Sequence, residues 1–408
     1  MRILFLHNNF PAQFGHVGAF LAKQGWDVVW GTAREGAFTS YQGGRIVRYK
    51  PHREPSKETH PYAVSWERAV LHGQAVARAG LKLKQSGFSP DLVVAHTGWG
   101  PGLYVKEIWP DTKFIGYFEW YYSREAPDVA YLNPDKTRDF SDADLSSRSR
   151  NAQILMDLAN SEIGLVPTAF QKSTFPRKFD DVLHVQHDGI DTDAHRPRAA
   201  DAPRGLILPN LDLSGADEII TYVARGMEPY RGFTQFMAAL EQIQKRRPNA
   251  HAVIVGEDRV AYGAQPKDGK SFKTRALEEH DLDLARTHFT GLLPRDQYQE
   301  VLRASSVHVY LTVPFVLSWS MMEAMATGCL LVASDTPPVR EYLEHGRNGL
   351  LVDFHDRDAQ VETICDALDR QADHAPLRVA ARETILDGLS FDDILPAKQR
   401  LFETVANG

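Results

Sequence analysis

Arg225 and Arg231 stand six residues apart, between the apolar run 219–224 and a helical stretch that begins at Phe233. Guanidinium forks match phosphate oxygens, and a helix N-terminus favours an anion, so this pairing suits a phosphate ligand. The same two residues would also serve as plain charge on a solvated turn. Downstream, the run 314–328 (PFVLSWSMMEAMATG) places Ser318, Trp319 and Ser320 ahead of a helix. Serine is a good N-cap, and a helix start offers backbone N–H groups to an anion. Glu323 is expected in the first turn of that helix, where a carboxylate suits the dipole. A carboxylate so placed also accepts from vicinal hydroxyls, a recurring device for holding ribose.

The first half of the chain carries fewer such signals. His96 ends the run 91–96 (DLVVAH) before the turn Thr97, Gly98, Trp99, Gly100, either as a substrate contact or as a structural strand-end histidine. Glu119 follows the run 113–118 (KFIGYF). There it either receives a sugar hydroxyl or acceptor proton, or pairs with an arginine such as Arg124. Trp120, Tyr121 and Tyr122 read equally as an aromatic platform for a sugar ring or as core. Gly15, in the loop after the first strand, would permit close backbone approach to a phosphate or sugar. No metal site is expected, since His16, His187 and His251 lack ligand spacing and Asp281 and Asp283 lie in a polar approach to a strand. Cys329 and Cys365 are too few for a disulfide framework and read as buried thiols.

These residues need elements to hold them. Apolar runs at 2–7, 26–30, 91–96, 113–118 and 162–167 alternate with helical stretches such as 63–83. The proline-bearing stretch 191–217 reads as a linker with one short strand. Alternation then restarts, with runs at 219–224, 250–255, 307–311, 329–333 and 349–352, and a last helix over 391–406. Runs buried on both faces between helices predict an α/β protein with two doubly wound domains. The boundaries expected are 1–195, joined by a returning segment 388–408, and 196–387. Such domains are expected to face each other across a cleft, with chemistry in the loops beyond the carboxyl ends of the strands.

The order VARGMEPYRGF, IVGED, FTGLLPRDQY and EAMATGCLLVASDTPPVREYLEHGRNGLLVD resembles the donor-nucleotide domain of the GT-B glycosyltransferases of family 4, group 1. HDGIDTDAHRP at 187–197 is similar to the stretch that enters the family's linker. The likeness is strong over 219–353 and weaker over 1–170. It implies the GT-B fold, two Rossmann-like domains across a cleft, with a C-terminal helix returning to the N-terminal domain.

The resemblance also implies roles. Arg225 and Arg231 would hold the donor diphosphate, the second replacing the family's usual lysine. Glu323 would bind the ribose. The backbone around Leu317, Ser318, Trp319 and Ser320 would meet phosphates or sugar. Gly256 would approach the nucleotide, and Leu293, within 289–294, would flank the base. Glu119 stands where the family has a histidine near the reacting sugar. Phe315 stands eight positions before Glu323, where the family usually has a glutamate on the transferred sugar. That departure leaves open an altered sugar preference.

The activity implied is retaining transfer from a nucleotide-diphospho-sugar, UDP- or GDP-linked, to an acceptor hydroxyl on a glycan, lipid or small molecule. The donor is a co-substrate, and no cofactor or metal is implied. The arginine pair and helix end would stabilise the departing diphosphate, and the leaving phosphate would take the acceptor proton. The acceptor would sit in the N-terminal domain, and closure about the linker would exclude water. Two alternatives are a nucleotide-sugar epimerase on the same fold and a non-catalytic nucleotide-sugar-binding relative.

Composition bounds these readings. The 408 residues are 43% hydrophobic and 24% charged with a net charge of −7, which excludes a disordered chain. The acidic balance also argues against binding nucleic-acid polymers. The first apolar run is too short for a signal peptide, and no 18-residue apolar stretch exists, so a cytoplasmic location is expected. Peripheral contact with the inner face of a membrane stays open through Lys82, Lys84, Arg148, Arg150, Arg177 and Lys178. Monomer and homodimer are both open.

Overall fold

The computed structural model describes residues 1–132, 139–199, 202 and 205–408. The chain forms two compact units, one of Met1–Ala126, Thr137–Asp188 and Asp392–Gly408, the other of Pro127–Lys136 and Gly189–Phe391.

The first unit is built on an eight-stranded sheet. Its order is Ser40–Tyr41, Gly44–Arg48, Asp27–Thr32, Arg2–Leu6, Leu92–His96, Lys113–Tyr117, Ile163–Val166 and Leu183–Val185. Every pair is parallel except the outermost, Ser40–Tyr41 on Gly44–Arg48. Such a sheet needs cover on both faces. Leu4, Leu6, Val93 and Ala95 pack under the helix Val64–Gln85. Phe5 points the other way, against Phe14, Trp30 and Phe402. Phe402 belongs to the final helix, Phe391–Asn407, which returns to this unit as expected. Lys398 of that helix lies 3.2 Å from the Asp188 carboxylate, which also accepts from the Tyr117 hydroxyl at 2.8 Å. This buried ion pair is hydrogen-bonded, the condition under which burial of charge is tolerated.

The second unit carries a parallel six-stranded sheet in the order Thr287–Gly291, His251–Glu257, Ile219–Gly226, Val307–Tyr310, Leu331–Ser334 and Leu350–Val352. Counting only the strands of this sheet, the order is 3-2-1-4-5-6, the doubly wound order. Apolar clusters cover both faces, one around Phe233, Phe236 and Phe354, the other around Met321, Met325 and Leu331.

The structure corrects several expectations. The second strand runs over Asp27–Thr32, not 26–30. Gly44–Arg48 and Thr287–Gly291 escaped the sequence reading because they lie at or near sheet edges, are short, and are only partly apolar. The linker holds two strands, Leu206–Leu208 and Leu211–Leu213, paired antiparallel. The unit boundary falls at 188/189 rather than 195/196. Residues 189–195 go with the second unit because Ile190 pairs with the backbone at Leu389 and Phe391, and Arg382 donates to the His195 carbonyl. For the same reason the return to the first unit begins at Asp392 rather than 388. The helix Pro127–Tyr131 also belongs to the second unit, where Tyr230 donates to Asp128 at 2.9 Å and the Tyr131 ring packs on Phe354.

Candidate functional site

In a doubly wound sheet the ligand crevice forms where strand order reverses. In the second unit that point lies between Ile219–Gly226 and Val307–Tyr310. The loops leaving these two strands carry Arg231 and the run Thr312–Ser320. Arg231 sits in the short turn Pro229–Arg231, ahead of the helix Phe233–Arg246. Gly232 makes that passage, at φ +64°, with a Cβ there only 2.3 Å from the Leu311 Cβ. The two arginines are not equivalent. Arg225 is exposed at the strand end, whereas Arg231 is buried.

Arg231 is held from several sides. Its Nη1 donates to Thr312 Oγ1 at 3.0 Å and lies 3.4 Å from the Tyr310 hydroxyl. Its guanidinium lies over the Tyr262 ring at 5.1 Å and near the Phe315 ring at 6.0 Å. The Tyr310 hydroxyl accepts from the Ser318 amide at 3.0 Å. One hydroxyl thus joins the buried cation to the residue that caps the helix Trp319–Thr327. A fixed cation beside a fixed helix start is a preorganised anion site.

Glu228, absent from the sequence reading, supports it. Its Oε2 accepts from the Ala261 amide at 2.7 Å, which fastens the loop carrying Tyr262. Burial pushes its carboxyl upward, against the pull of that hydrogen bond.

The helix begins at Trp319, one residue before Ser320, with Ser318 accepting from the Ser320 amide. Glu323 is therefore the fifth helical residue and lies in the second turn, so the first-turn dipole account does not apply. Its carboxylate accepts from the Tyr298 hydroxyl at 2.7 Å and lies 3.4 Å from His195 Nε2. Burial raises its pKa, with the Tyr298 hydrogen bond opposing. Tyr298 and His195 orient a carboxylate that keeps 20% of its side-chain surface open.

Leu317 is buried in the core, and Trp319 is exposed. Leu293 is half-buried against the cluster of Leu206 and Leu208, while its neighbour Leu292 is exposed. Gly256 has a reason within the fold. At φ +147°, its Cβ would lie 2.3 Å from the Ala224 carbonyl oxygen. Phe315 packs edge-on against Tyr230 and Tyr262, so an aromatic ring occupies the place beside Arg231.

In the first unit the order reverses between Arg2–Leu6 and Leu92–His96. His96 and Glu119 meet there, Nε2 to Oε2 at 3.2 Å. Gln13 donates to the other Glu119 oxygen at 2.8 Å. His96 Nδ1 lies 3.0 Å from the Thr97 carbonyl, which can only accept, so Nδ1 carries a hydrogen. His7 and Trp99 complete the group, with ring centres 4.6 and 5.6 Å from His96. Sequence reasoning misses His7, Gln13 and Trp99 as site residues because the loop after Arg2–Leu6, which carries the first two, and the turn after Leu92–His96, which carries the third, meet only in the fold. Gly15 opens the helix Gly15–Lys23 beside this group, close to the Pro11 ring.

The aromatic platform is withdrawn. Trp120 and Tyr121 are 7% and 3% exposed, the latter packed with Phe118, Ile154 and Phe175. Trp99, 47% exposed, is the aromatic surface at this edge. Among the described residues no group of three or more His, Cys, Asp or Glu is placed to hold a metal. Asp283 pairs with Arg286 at 2.7 Å, and both cysteines are buried free thiols.

Residues 24–195 match the model of the glycosyl transferase family 4 group, and residues 207–384 that of glycosyl transferases group 1. The α-maltose-1-phosphate synthase of Mycolicibacterium smegmatis is 26% identical over 245 residues, 57% of this chain and 59% of that protein. The match thus spans less than two thirds of that relative. A sucrose-phosphate synthase from Thermosynechococcus elongatus shares the fold with a TM-score of 0.72 at 18% identity, covering 99% of both chains. Anabaena HepE, solved with UDP and glucose, gives a TM-score of 0.68 at 17% identity over 100% of both chains. With two Rossmann-like sheets, a returning helix and family models over both halves, the chain belongs to the family 4, group 1 glycosyltransferases.

Proposed function

We propose that this protein transfers a sugar from a UDP- or GDP-linked donor to an acceptor hydroxyl, with retention at the anomeric carbon and without a metal. The observation that carries the reading is Arg231, buried at the switch point of the second sheet and tied through Tyr310 to the capped helix start. The diphosphate would lie against Arg231, with exposed Arg225 closing on it from solvent and Glu323 accepting the ribose hydroxyls. HepE, with the same fold, was solved with UDP and glucose, which supports this class of donor.

In the transfer, the bond from the anomeric carbon to the diphosphate oxygen breaks, and the acceptor oxygen bonds to that carbon. Charge grows on the departing diphosphate, where Arg231 and the helix start oppose it at no cost in reorganisation. The acceptor proton passes to the leaving phosphate oxygen on the same face. The His96–Glu119 pair, at the first sheet's switch point, would position a reacting hydroxyl.

Incubating the protein with UDP- and GDP-hexoses tests this reading. Release of nucleoside diphosphate, lost in Arg231→Ala, is expected. An isomerised donor without release would assign an epimerase instead. Phe315 motivates a second reading, since an aromatic ring stands where a sugar-binding carboxylate is usual. Tight nucleotide binding with no turnover across an acceptor panel would make the protein a binder.

A further inference from the structure

Away from both switch points, a cavity of about 370 Å³ lies between the end of the strand Gly44–Arg48 and the second half of the helix Val64–Gln85. Arg48, Lys50, Arg78 and Lys82 line it together with the buried Tyr49 and the exposed Ser86, and no carboxylate is among the lining residues described. In a chain of net charge −7, four cations around one acid-free hollow concentrate positive potential locally.

Three of these cations are weakly engaged. Arg78 and Lys82 stand one helical turn apart, an arrangement that destabilises a helix unless something offsets the repulsion. Both are exposed, and neither has an ion-pair partner among the described residues. Among the described residues Lys50 pairs with Glu35 alone, at 2.9 Å, and both side chains are at least 80% exposed, a geometry worth little in water. Arg48 donates from Nη2 to the Phe38 carbonyl, while its buried Nε has no hydrogen-bond partner among the described residues. Val47, Ala75, Ala79 and Leu83 give the hollow an apolar floor.

The other basic residues that the sequence offered for a membrane surface do not join this group. Lys84 donates to the Ile108 carbonyl, Arg148 and Arg150 lie over the Tyr121 and Tyr122 rings, and Lys178 lies over Phe179.

We propose that this hollow is a second anion site, which takes a phosphate monoester attached to a body of about hexose size. The volume lies within the range of small-molecule sites, near its lower end. A phosphate monoester brings close to two negative charges and three acceptor oxygens, matching several cations at once. The apolar floor would carry the body of the ligand. The same monoester exists free, as a hexose phosphate, and on a membrane, as phosphatidic acid. Concavity favours the free form, since a flat bilayer addresses a convex or level surface.

Calorimetry with glucose 6-phosphate, and sedimentation with phosphatidylcholine vesicles containing phosphatidic acid, tests this on the full chain. Glucose 6-phosphate is expected to bind. The double variant Arg78→Gln with Lys82→Gln should weaken it by about tenfold or more, while melting as the parent does. Arg225→Gln, at the donor edge, should bind the probe unchanged. Vesicle binding without glucose 6-phosphate binding, lost in the double variant, would retain the site and make its ligand a lipid headgroup. The proposal falls if neither probe binds, if the double variant binds as well as the parent, or if Arg225→Gln abolishes binding.

Discussion

Arg225 and Arg231 look alike in sequence and differ in the fold. A buried cation with fixed partners contributes more to an anion than an exposed one, because solvent screens the latter. Arg231→Ala should therefore weaken nucleoside diphosphate binding more than Arg225→Ala does. Arg231→Lys should fall between, since the charge stays but the fork that spans Thr312 and a phosphate is lost. The two arginines could be nominated from type and spacing alone. Thr312 and Tyr310 could not, because they reach Arg231 from a strand about eighty residues later. Trp120 and Tyr121 show the opposite limit. Aromatic residues at a strand end suit a platform or a core equally, and only the packing of Ile154 and Leu158 on Tyr121 decides.

Glu119→Gln keeps the shape of the His96 contact and removes the carboxylate. If the pair positions a reacting hydroxyl, transfer should fall about a hundredfold or more, in the range of proton-handling groups, while affinity for UDP stays unchanged. Equal losses in turnover and UDP affinity would show that the pair acts otherwise.

At the scale of elements, the strand-to-helix passage at Gly232 decides whether Arg231 is presented at all. Alanine there would combine a left-handed backbone with a clash against Leu311, costing about 1–3 kcal/mol for overpacking alone. Urea unfolding of Gly232→Ala should show the midpoint lowered with the slope unchanged. A midpoint equal to the parent's would mean the turn relaxes without penalty. The buried parallel strands were legible because uninterrupted apolar runs have few other uses. Gly44–Arg48 and Thr287–Gly291 were not, since their half-exposed residues break the run. The misplacement of Glu323 follows from a single residue, because helix entry one position earlier moves the carboxylate into the second turn.

For the whole molecule, buried titrating groups set the pH response. Burial pushes the Asp157 carboxyl up to about 8. The unfolded value is near 4, so the folded state holds an extra proton between about pH 4 and 8 and stability falls as pH rises through that window. Burial lowers His187 and His308 to about 4. The unfolded chain binds those two protons below about pH 6.5, so stability falls as pH drops from 6.5 towards 4. Two protons outweigh one, and these three groups together place maximal stability near pH 6.5. Thermal unfolding should show that maximum, and Asp157→Asn should flatten the decline between pH 6.5 and 8. An unchanged decline in the variant would remove Asp157 as its cause.

The chain's division into units was legible in outline, since strand–helix alternation occurs twice. Its exact seam was not. Residues 189–195 fall within the first domain as read from the sequence, but their contacts at Leu389 and Arg382 bind them to the second unit. One of them, His195, stands against Glu323.

The proposed function turns on Arg231, held by Thr312 and Tyr310, binding the diphosphate of a nucleotide. Calorimetric titration of UDP and GDP into the parent and Arg231→Ala tests it most directly. Removing one charged hydrogen-bonding group costs about 1.5–3 kcal/mol. Saturable binding of at least one nucleotide is expected, weakened about 10- to 100-fold in the variant. Equal affinity in parent and variant, or no binding of either nucleotide, would contradict it.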